Sequence, residues 1–336
     1  MKPALLTIDH LYKRFNVAQG LFPKFSFKKA RFVAQQAQVS AINGVSLEIG
    51  TGEVLCVVGE SGSGKSTLAR IVMGLLRPSS GTIKYCQQRI DHLSARQWMP
   101  YRKHMQMIFQ NPYASLNPRM TVRQTLSEAI RFHFPALSRA EVNDKVVSTM
   151  LSVGMQPDWA SRYPHEFSGG QKQRISIARA LAVDPVLLVA DEPVSALDVS
   201  VQAQILNLMM ETREQHALTY LFITHDLSVV KHFGTRVVVM YLGSFCEIAP
   251  TKTLFSHPQH PYTRALISAI PTLTPHQTKP IPLFGEIPSA LKLPAGCVFN
   301  RRCSYANQRC QSEKPELKPV GDHIYVACHG VEENRI

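Results

Sequence analysis

Eight residues constrain this chain more than any others: Gly59-Glu60-Ser61-Gly62-Ser63-Gly64-Lys65-Ser66, which directly follow the apolar, strand-like run Val54–Val58. The spacing G-x-x-x-x-G-K-[ST] between a strand and a helix is a phosphate-binding pattern. Its glycines let backbone N–H groups converge on phosphate oxygens, and the following helix presents its positive end to the same anion. Lys65 is expected to reach the β- and γ-phosphates and the Ser66 hydroxyl to ligate magnesium, with Ser61, Gly62, Ser63, Gly64 and Thr67 completing the cradle. A chance match is the alternative, and the strand before the loop weighs against it.

Other apolar runs, Val186–Ala190, Tyr220–Ile223 and Val237–Tyr241, barely alternate, as expected of central strands of a parallel sheet buried on both faces. Helical stretches such as Gln171–Ala182 and Val201–Glu214 lie between them, so the fold class expected is α/β. The run Val186–Ala190 delivers Asp191-Glu192 at its carboxyl end, the edge where ligands of open α/β sheets collect. Asp191 is then placed to hold magnesium and Glu192 to polarise an attacking water. Two acids capping the next helix would be the purely structural explanation, the weaker one beside a phosphate loop.

At 336 residues, 45% hydrophobic and 18% charged, the chain reads as a globular protein with one large core plus an appendage, or two domains. Its apolar stretches are too short to cross a bilayer, and Met1-Lys2-Pro3 opens no secretory pattern, so a cytoplasmic location is expected. An excess of 37 basic over 24 acidic residues gives +13, which favours an anionic partner: nucleic acid, a lipid surface or a phosphorylated ligand. Composition does not choose among them. Two regions break the α/β rhythm. Asn16–Ser40 interleaves phenylalanines with lysines and is expected to be a solvated loop inserted between two strands, with contact to lipid headgroups as the functional alternative. From about His257 prolines become frequent, which predicts an irregular appendage rather than more sheet.

Phe167-Ser168-Gly169-Gly170-Gln171, followed by Lys172–Leu181, decides the class. Alone, Ser-Gly-Gly is a helix cap and a turn. With its sequel it resembles the signature segment of ABC transporter ATPases, with Phe167 in place of the usual leucine. The resemblance extends from about Leu5 to Tyr241 and implies that two nucleotide-binding domains meet head to tail, so that Ser168 and its helix contact the γ-phosphate held by the other subunit. It further implies that Phe15 stacks on adenine, Gln110 senses magnesium and the lytic water, Asp198 in Ser195–Asp198 links the two sites, and His225 contacts the γ-phosphate. Catalysis would rest on Glu192, His225, Lys65 and Gln110. The magnesium ligands would be Ser66, Gln110 and Asp191. Soluble ABC machines that act on nucleic acid are the rival class. No second phosphate loop and no long coiled-coil insertion supports them, so no nucleic-acid partner is expected.

Three segments resemble the dipeptide, oligopeptide and nickel importer branch: Gln110–Arg119, the His260-Pro261-Tyr262 motif, and a tail with Cys297, Cys303, Cys310 and Cys328. That likeness implies a P-loop nucleotide-binding domain over 1–250, a helical signature subdomain at about 111–180, and a carboxy-terminal extension over 251–336. Its partners would be a second, different ATPase, two integral membrane permease subunits and a substrate-binding protein outside the cell, with the chain peripheral on the cytoplasmic face of the inner membrane. Peptide import is the function implied, with nickel or another small solute as the alternative. The tail cysteines are separated by five, six and seventeen residues. Four thiols in irregular, proline-bearing chain suit a 4Fe–4S cluster. Structural zinc, aided by His323 or His329, is the runner-up, and free thiols are the third reading.

Overall fold

The structure is a computed structural model that describes residues 4–17, 25–28, 31–34, 37–270 and 280–336. The amino-terminal part contains β1 (Ala4–Val17), β2 (Phe25–Lys28), β3 (Arg31–Ala34) and β4 (Ala37–Gly50). β5 (Val54–Val58) feeds α1 (Lys65–Val72), followed by β6 (Ser80–Tyr85) and β7 (Gln88–Arg89). α2 (Met99–His104) leads into β8 (Met105–Ile108), then α3 (Pro112–Ser115), α4 (Val122–His133), α5 (Arg139–Ser152) and α6 (Gly169–Leu181). β9 (Leu187–Asp191), α7 (Val199–His216), β10 (Thr219–Ile223), α8 (Leu227–Phe233), β11 (Arg236–Tyr241) and β12 (Ser244–Pro250) follow. The remainder holds α9 (Thr251–Ser256), α10 (Pro261–Ser268), α11 (Gln308–Ser312), β13 (Lys318–Gly321), β14 (Ile324–Val326) and α12 (His329–Glu332).

The described strands form an antiparallel sheet of order β4-β1-β6-β7, an eight-stranded sheet of order β13-β14-β12-β11-β5-β10-β9-β8 and a two-stranded sheet, β2-β3. Within the second, β11, β5, β10, β9 and β8 run parallel. Their carboxyl ends therefore share one edge, which is what brings distant sequence motifs together. Alternate residues of each central strand enter different cores. Val54, Cys56 and Val58 face the helices α4 to α7, whereas Leu55 and Val57 face α1 and the antiparallel sheet. A strand buried on both faces needs an unbroken apolar run, and Val54–Val58 is buried throughout.

The helical part is written by its caps and stripes. Thr121 with Gln124 and Ser138 with Glu141 form capping boxes that start α4 and α5. Val122, Leu126 and Ile130 then recur at four-residue spacing on α4, as Val142, Val146 and Met150 do on α5, and all six are buried. Each such side chain contributes about 1.5–3 kcal/mol of burial free energy.

Two expectations need correction. The carboxy-terminal segment is not only an irregular appendage, because β14 pairs with β12 (Glu247↔Val326, Ile248↔Tyr325) and β13 adds to β14. Prolines do not forbid this. Pro319 lies on the outermost strand, where a missing N–H costs no ladder bond inside the sheet. Nor is Asn16–Ser40 a loop throughout, since Asn16 and Val17 pair with Gln38 and Ala37, and Phe25–Lys28 pairs with Arg31–Ala34. The rest of that stretch lies outside the described residues. No described helix is long and apolar enough to cross a membrane.

Candidate nucleotide site

Four strand ends build the site. β5 runs straight into the phosphate loop, where Gly59 has φ 152° and Gly64 has φ 106°. A Cβ at Gly59 would lie 2.0 Å from the Met240 carbonyl oxygen, and one at Gly64 2.4 Å from that of Ala41. Both positions need glycine for conformation and for space. Gly64 is the N-cap of α1 and supplies no side-chain cap, so the helix opens with N–H groups turned to the loop. The Lys65 ammonium is buried, donating to the carbonyls of Gly59 at 2.7 Å and Glu60 at 3.0 Å. Burial pulls its pKa down, while Glu192, Asp191 and Glu60 oppose that shift. Three carboxylates thus sit within electrostatic reach of one lysine.

β9 ends in Asp191, and the next residue, Glu192, has φ 48°. This left-handed turn costs of order 1–3 kcal/mol for a non-glycine residue. It is held by the Glu192 N–H bond to the Ile223 carbonyl of β10 at 2.9 Å. Its consequence is that neighbouring acids meet different partners. Asp191 Oδ1 accepts from Ser66 Oγ at 2.8 Å. Glu192 Oε2 accepts from Gln110 Nε2 at 2.8 Å, and Glu192 Oε1 stands 3.3 Å from His225 Nδ1. Gln110 follows β8 and His225 follows β10, so each arrives on its own strand end. Burial raises the Asp191 pKa, moderated by the Ser66 bond. A hydroxyl beside a buried carboxylate is a hard-oxygen pair that suits magnesium, the remaining ligands coming from phosphate and water.

Of the other anticipated residues, Ser63 joins this group, its Oγ accepting from Lys65 Nζ at 3.4 Å, and the rest lie outside it. Ser168 is the N-cap of α6 and forms a capping box with Gln171, whose side chain accepts from the Ser168 N–H at 2.9 Å. Gly169 and Gly170 open that helix, which packs on α3, α4, α5, α7 and β8. Asp198 is the N-cap of α7 without capping through its side chain. Phe15, on β1, is half-buried, with the Lys13 ammonium 4.9 Å from its ring centroid. Ser61, Gly62, Ser63 and Thr67 lie in the loop and the first turn of α1.

The cysteine expectation meets a mixed result. Cys297 and Cys310 are buried, and the Cys297 N–H bonds the Cys310 carbonyl at 2.8 Å. Burial pushes the Cys297 thiol up to about 12, with Cys328, Cys310 and Cys303 adding to the rise. Cys303 and Cys328, in the same segment, are part-buried. Yet among the described residues no group of three or more His, Cys, Asp or Glu side chains is set out to hold a metal ion. Sequence reasoning missed Cys246, buried on β12, whose thiol is raised by burial and by Cys297 and Cys328. It also missed Arg302, which pairs with Glu60 of the phosphate loop at 2.6 Å. Neither residue has a spacing signal, because only the docking of the tail makes them neighbours.

A cleft of about 960 Å³ lies away from this chemistry, between the antiparallel sheet and the carboxy-terminal segment. Its lining mixes Asp9, Glu48 and Glu316 with Lys84, Arg236 and Lys314, a balance that selects no class of ligand.

Comparison with known proteins decides the family. Residues 42–195 match the model of the ABC transporter family, and residues 246–310 match that of the oligopeptide/dipeptide transporter carboxy-terminal region. The chain is 48% identical to the di/tripeptide transport ATP-binding protein DppF of Pseudomonas aeruginosa, over 98% of both chains. The chain belongs to the ATP-binding subunits of the oligopeptide/dipeptide ABC transporters. It is also 44% identical to the oligopeptide transport ATP-binding protein OppF of Escherichia coli, over 98% of this chain and 97% of that one. A solved ABC cassette dimer bound to ADP and Pi superimposes with TM-score 0.63 at 25% identity, covering 73% of this chain and 98% of the other. The uncovered remainder is consistent in size with an added carboxy-terminal segment. As a member of this family the chain is an ABC-type ATPase that couples ATP hydrolysis to transport, with ATP and magnesium as its cofactors.

Proposed function

We propose that this subunit energises import of di- or oligopeptides across the bacterial inner membrane, from its cytoplasmic face, by hydrolysing ATP at the site built on β5, β8, β9 and β10. The observation that carries the peptide reading is the match of residues 246–310 to the oligopeptide/dipeptide carboxy-terminal region, beside near-full-length relatives named for peptide transport. In the mechanism, the loop N–H groups, the amino end of α1 and Lys65 bind and orient the triphosphate. Magnesium, when bound, neutralises phosphate charge. Ser66, Gln110 and Asp191 are the residues that would hold it. Glu192, gripped by Gln110 and beside His225, orients the lytic water for attack on the γ-phosphorus. His225 supports the charge that develops on the γ-phosphate. Phe15 offers the ring for adenine. Ser168–Gln171 would serve the phosphate loop of an opposing cassette and Asp198 would link the two sites, the opposing cassette being a second, different ATPase. Two permease subunits and a substrate-binding protein complete the assembly. Residues 1–250 form the cassette, with the helical subdomain at about 111–180, and 251–336 form the extension.

Reconstitution in proteoliposomes tests the substrate. Peptide-loaded binding protein should stimulate ATP hydrolysis and drive peptide uptake, and stimulation by nickel instead would overturn the peptide reading. At the tail, four cysteines in one segment, Cys297 and Cys310 buried and Cys303 and Cys328 part-buried, favour a thiolate-ligated 4Fe–4S cluster that closes the sulfurs around one point. Its role would be structural. Anaerobically prepared protein should be brown, with about four irons and matching acid-labile sulfide per chain. Colourless protein with stoichiometric zinc would overturn the cluster and leave the ATPase intact.

A further inference from the structure

The phosphate loop is gripped from outside the cassette, at Glu60. Its backbone N–H donates to the Tyr262 hydroxyl at 2.9 Å. Its carboxylate takes two hydrogen bonds from the Arg302 guanidinium, Nη1 to Oε2 at 2.6 Å and Nη2 to Oε1 at 3.1 Å. Both partners come from the carboxy-terminal segment, more than 200 residues away in sequence.

Neither partner is a loose surface contact. Tyr262 is fully buried at the start of α10, packed on Tyr241 and Phe299 with ring centroids 4.8 and 5.3 Å away. Its own N–H is accepted by His260 Nδ1 at 3.0 Å, and the turn before it is pinned to β12. There the buried Glu247 carboxylate accepts the N–H groups of Gln259 and His260 at 2.9 and 2.8 Å. A covalently and hydrogen-bonded path therefore runs from the central sheet through His260 and Tyr262 to the phosphate loop. The Arg302 side chain is only 6% exposed and lies over the Tyr241 ring, its guanidinium carbon 5.8 Å from the centroid. It stands in the 3₁₀ turn Asn300–Arg302, between Cys297 and Cys303.

Chemistry gives this grip a purpose. Glu60 is a carboxylate in a loop that must receive a triphosphate, and it lies within electrostatic reach of Lys65. Left unpaired, it would repel the phosphates and compete with them for the lysine ammonium. A bidentate guanidinium cancels that charge and fixes the plane of the carboxylate at once. The Tyr262 hydroxyl occupies the Glu60 N–H, which leaves the later N–H groups of the loop to converge on the ligand. We infer that Tyr262 and Arg302 are positioning residues for ATP binding, which hold Glu60 so that the loop and Lys65 are set for the triphosphate. The carboxy-terminal segment thus acts on the nucleotide site through the loop rather than by touching the nucleotide. This rests on the phosphate loop being the ATP site.

The test uses the full chain, titrated with a fluorescent ATP analogue, and the assembled transporter for KM and kcat. Losing a half-buried, charge-assisted pair should weaken ATP binding in Arg302→Ala about tenfold or more, with Arg302→Lys in between because it cannot bind bidentately. Tyr262→Phe keeps the ring and should raise the KM for ATP about three- to tenfold while kcat changes less than about twofold. The double variant Arg302→Ala/Glu60→Gln, in which no carboxylate is left unpaired, should recover most of the affinity. Wild-type affinity in both Arg302→Ala and Tyr262→Phe, whatever their melting points, would overturn the inference, as would a double variant no better than Arg302→Ala. Should Arg302→Ala not fold, Tyr262→Phe and Arg302→Lys decide by the same affinity criterion. Lys65→Ala separates the two failures. If it binds ATP like the wild type, the loop assignment itself falls; if it is dead while the grip variants bind normally, only the positioning role falls.

Discussion

The left-handed turn at Glu192 matters because it divides the work of two adjacent acids. Asp191 faces Ser66, while Glu192 faces Gln110 and His225. A glutamine at 192 has the same size and can still meet Gln110, but it has no charge with which to polarise water. Glu192→Gln should therefore leave ATP affinity within about threefold of wild type and lower kcat by about 10²-fold or more. Wild-type turnover in the assembled transporter would remove Glu192 from the lytic role. Lys65→Ala should do the reverse at the first step, because the buried ammonium is the loop's only full positive charge. Equilibrium titration should show ATP binding lost before any question of turnover arises, and retained binding would count against its phosphate contact.

At the scale of elements, the motifs with local spacing were legible and the ones made by docking were not. Val54–Val58 followed by Gly59–Ser66 announces its strand, turn and helix because the hydrophobic run and the glycines are contiguous. Strand β9 and helix α7 were likewise visible to within a few residues, with run ends displaced to Leu187–Asp191 and Val199–His216. By contrast, β13 and β14 are hidden because runs of four and three residues are too short to show a period; it is the open edge of β12 that recruits β14, and β14 in turn pairs with the exposed β13. The His260-Pro261-Tyr262 turn is legible as a motif, but its mechanics depend on the groups that fold around it. His260 is buried and its pKa is pushed down to about 3, by burial first and by Arg264 second. The folded protein thus keeps it neutral, whereas the unfolded chain takes up a proton below about pH 6.5. The contribution is full above that pH and falls away as pH drops from about 6.5 toward 3, by roughly 1 kcal/mol per unit. Glu247, beside it, titrates too, so the readout must be a difference. His260→Asn keeps a capping acceptor without a titrating ring. Its melting point should trail the wild type at pH 7.5, with the gap narrowing by pH 5.5; parallel pH slopes for the two proteins would refute the buried-neutral histidine.

For the whole molecule, the question is what completes the site. The amino end of α6 carries Ser168 in a capping box and is part of the helical layer packed on α3, α4, α5 and α7. The chemistry of Lys65, Gln110, Glu192 and His225 is assembled at the sheet edge instead, and one chain brings no signature serine into that hydrogen-bonded group. On the proposed reading the amino end of α6 serves the γ-phosphate of an opposing cassette, and the dipole that it offers decays within its first turn, so that cassette has to close tightly. The isolated chain should accordingly bind ATP yet hydrolyse it slowly, and stay largely monomeric in sedimentation runs. The dependence on concentration discriminates the partner. If the opposing cassette is a different ATPase, specific activity should stay flat as this chain is concentrated and rise by about 10²-fold when the second ATPase and the permeases are added, the range that ordered transition-state contacts supply. In that assembly Ser168→Arg should cripple the partner's site while leaving ATP binding at Lys65 intact. If instead the pure chain shows cooperative hydrolysis that climbs with its own concentration, the cassette pairs with itself, and the heteromeric assembly is wrong.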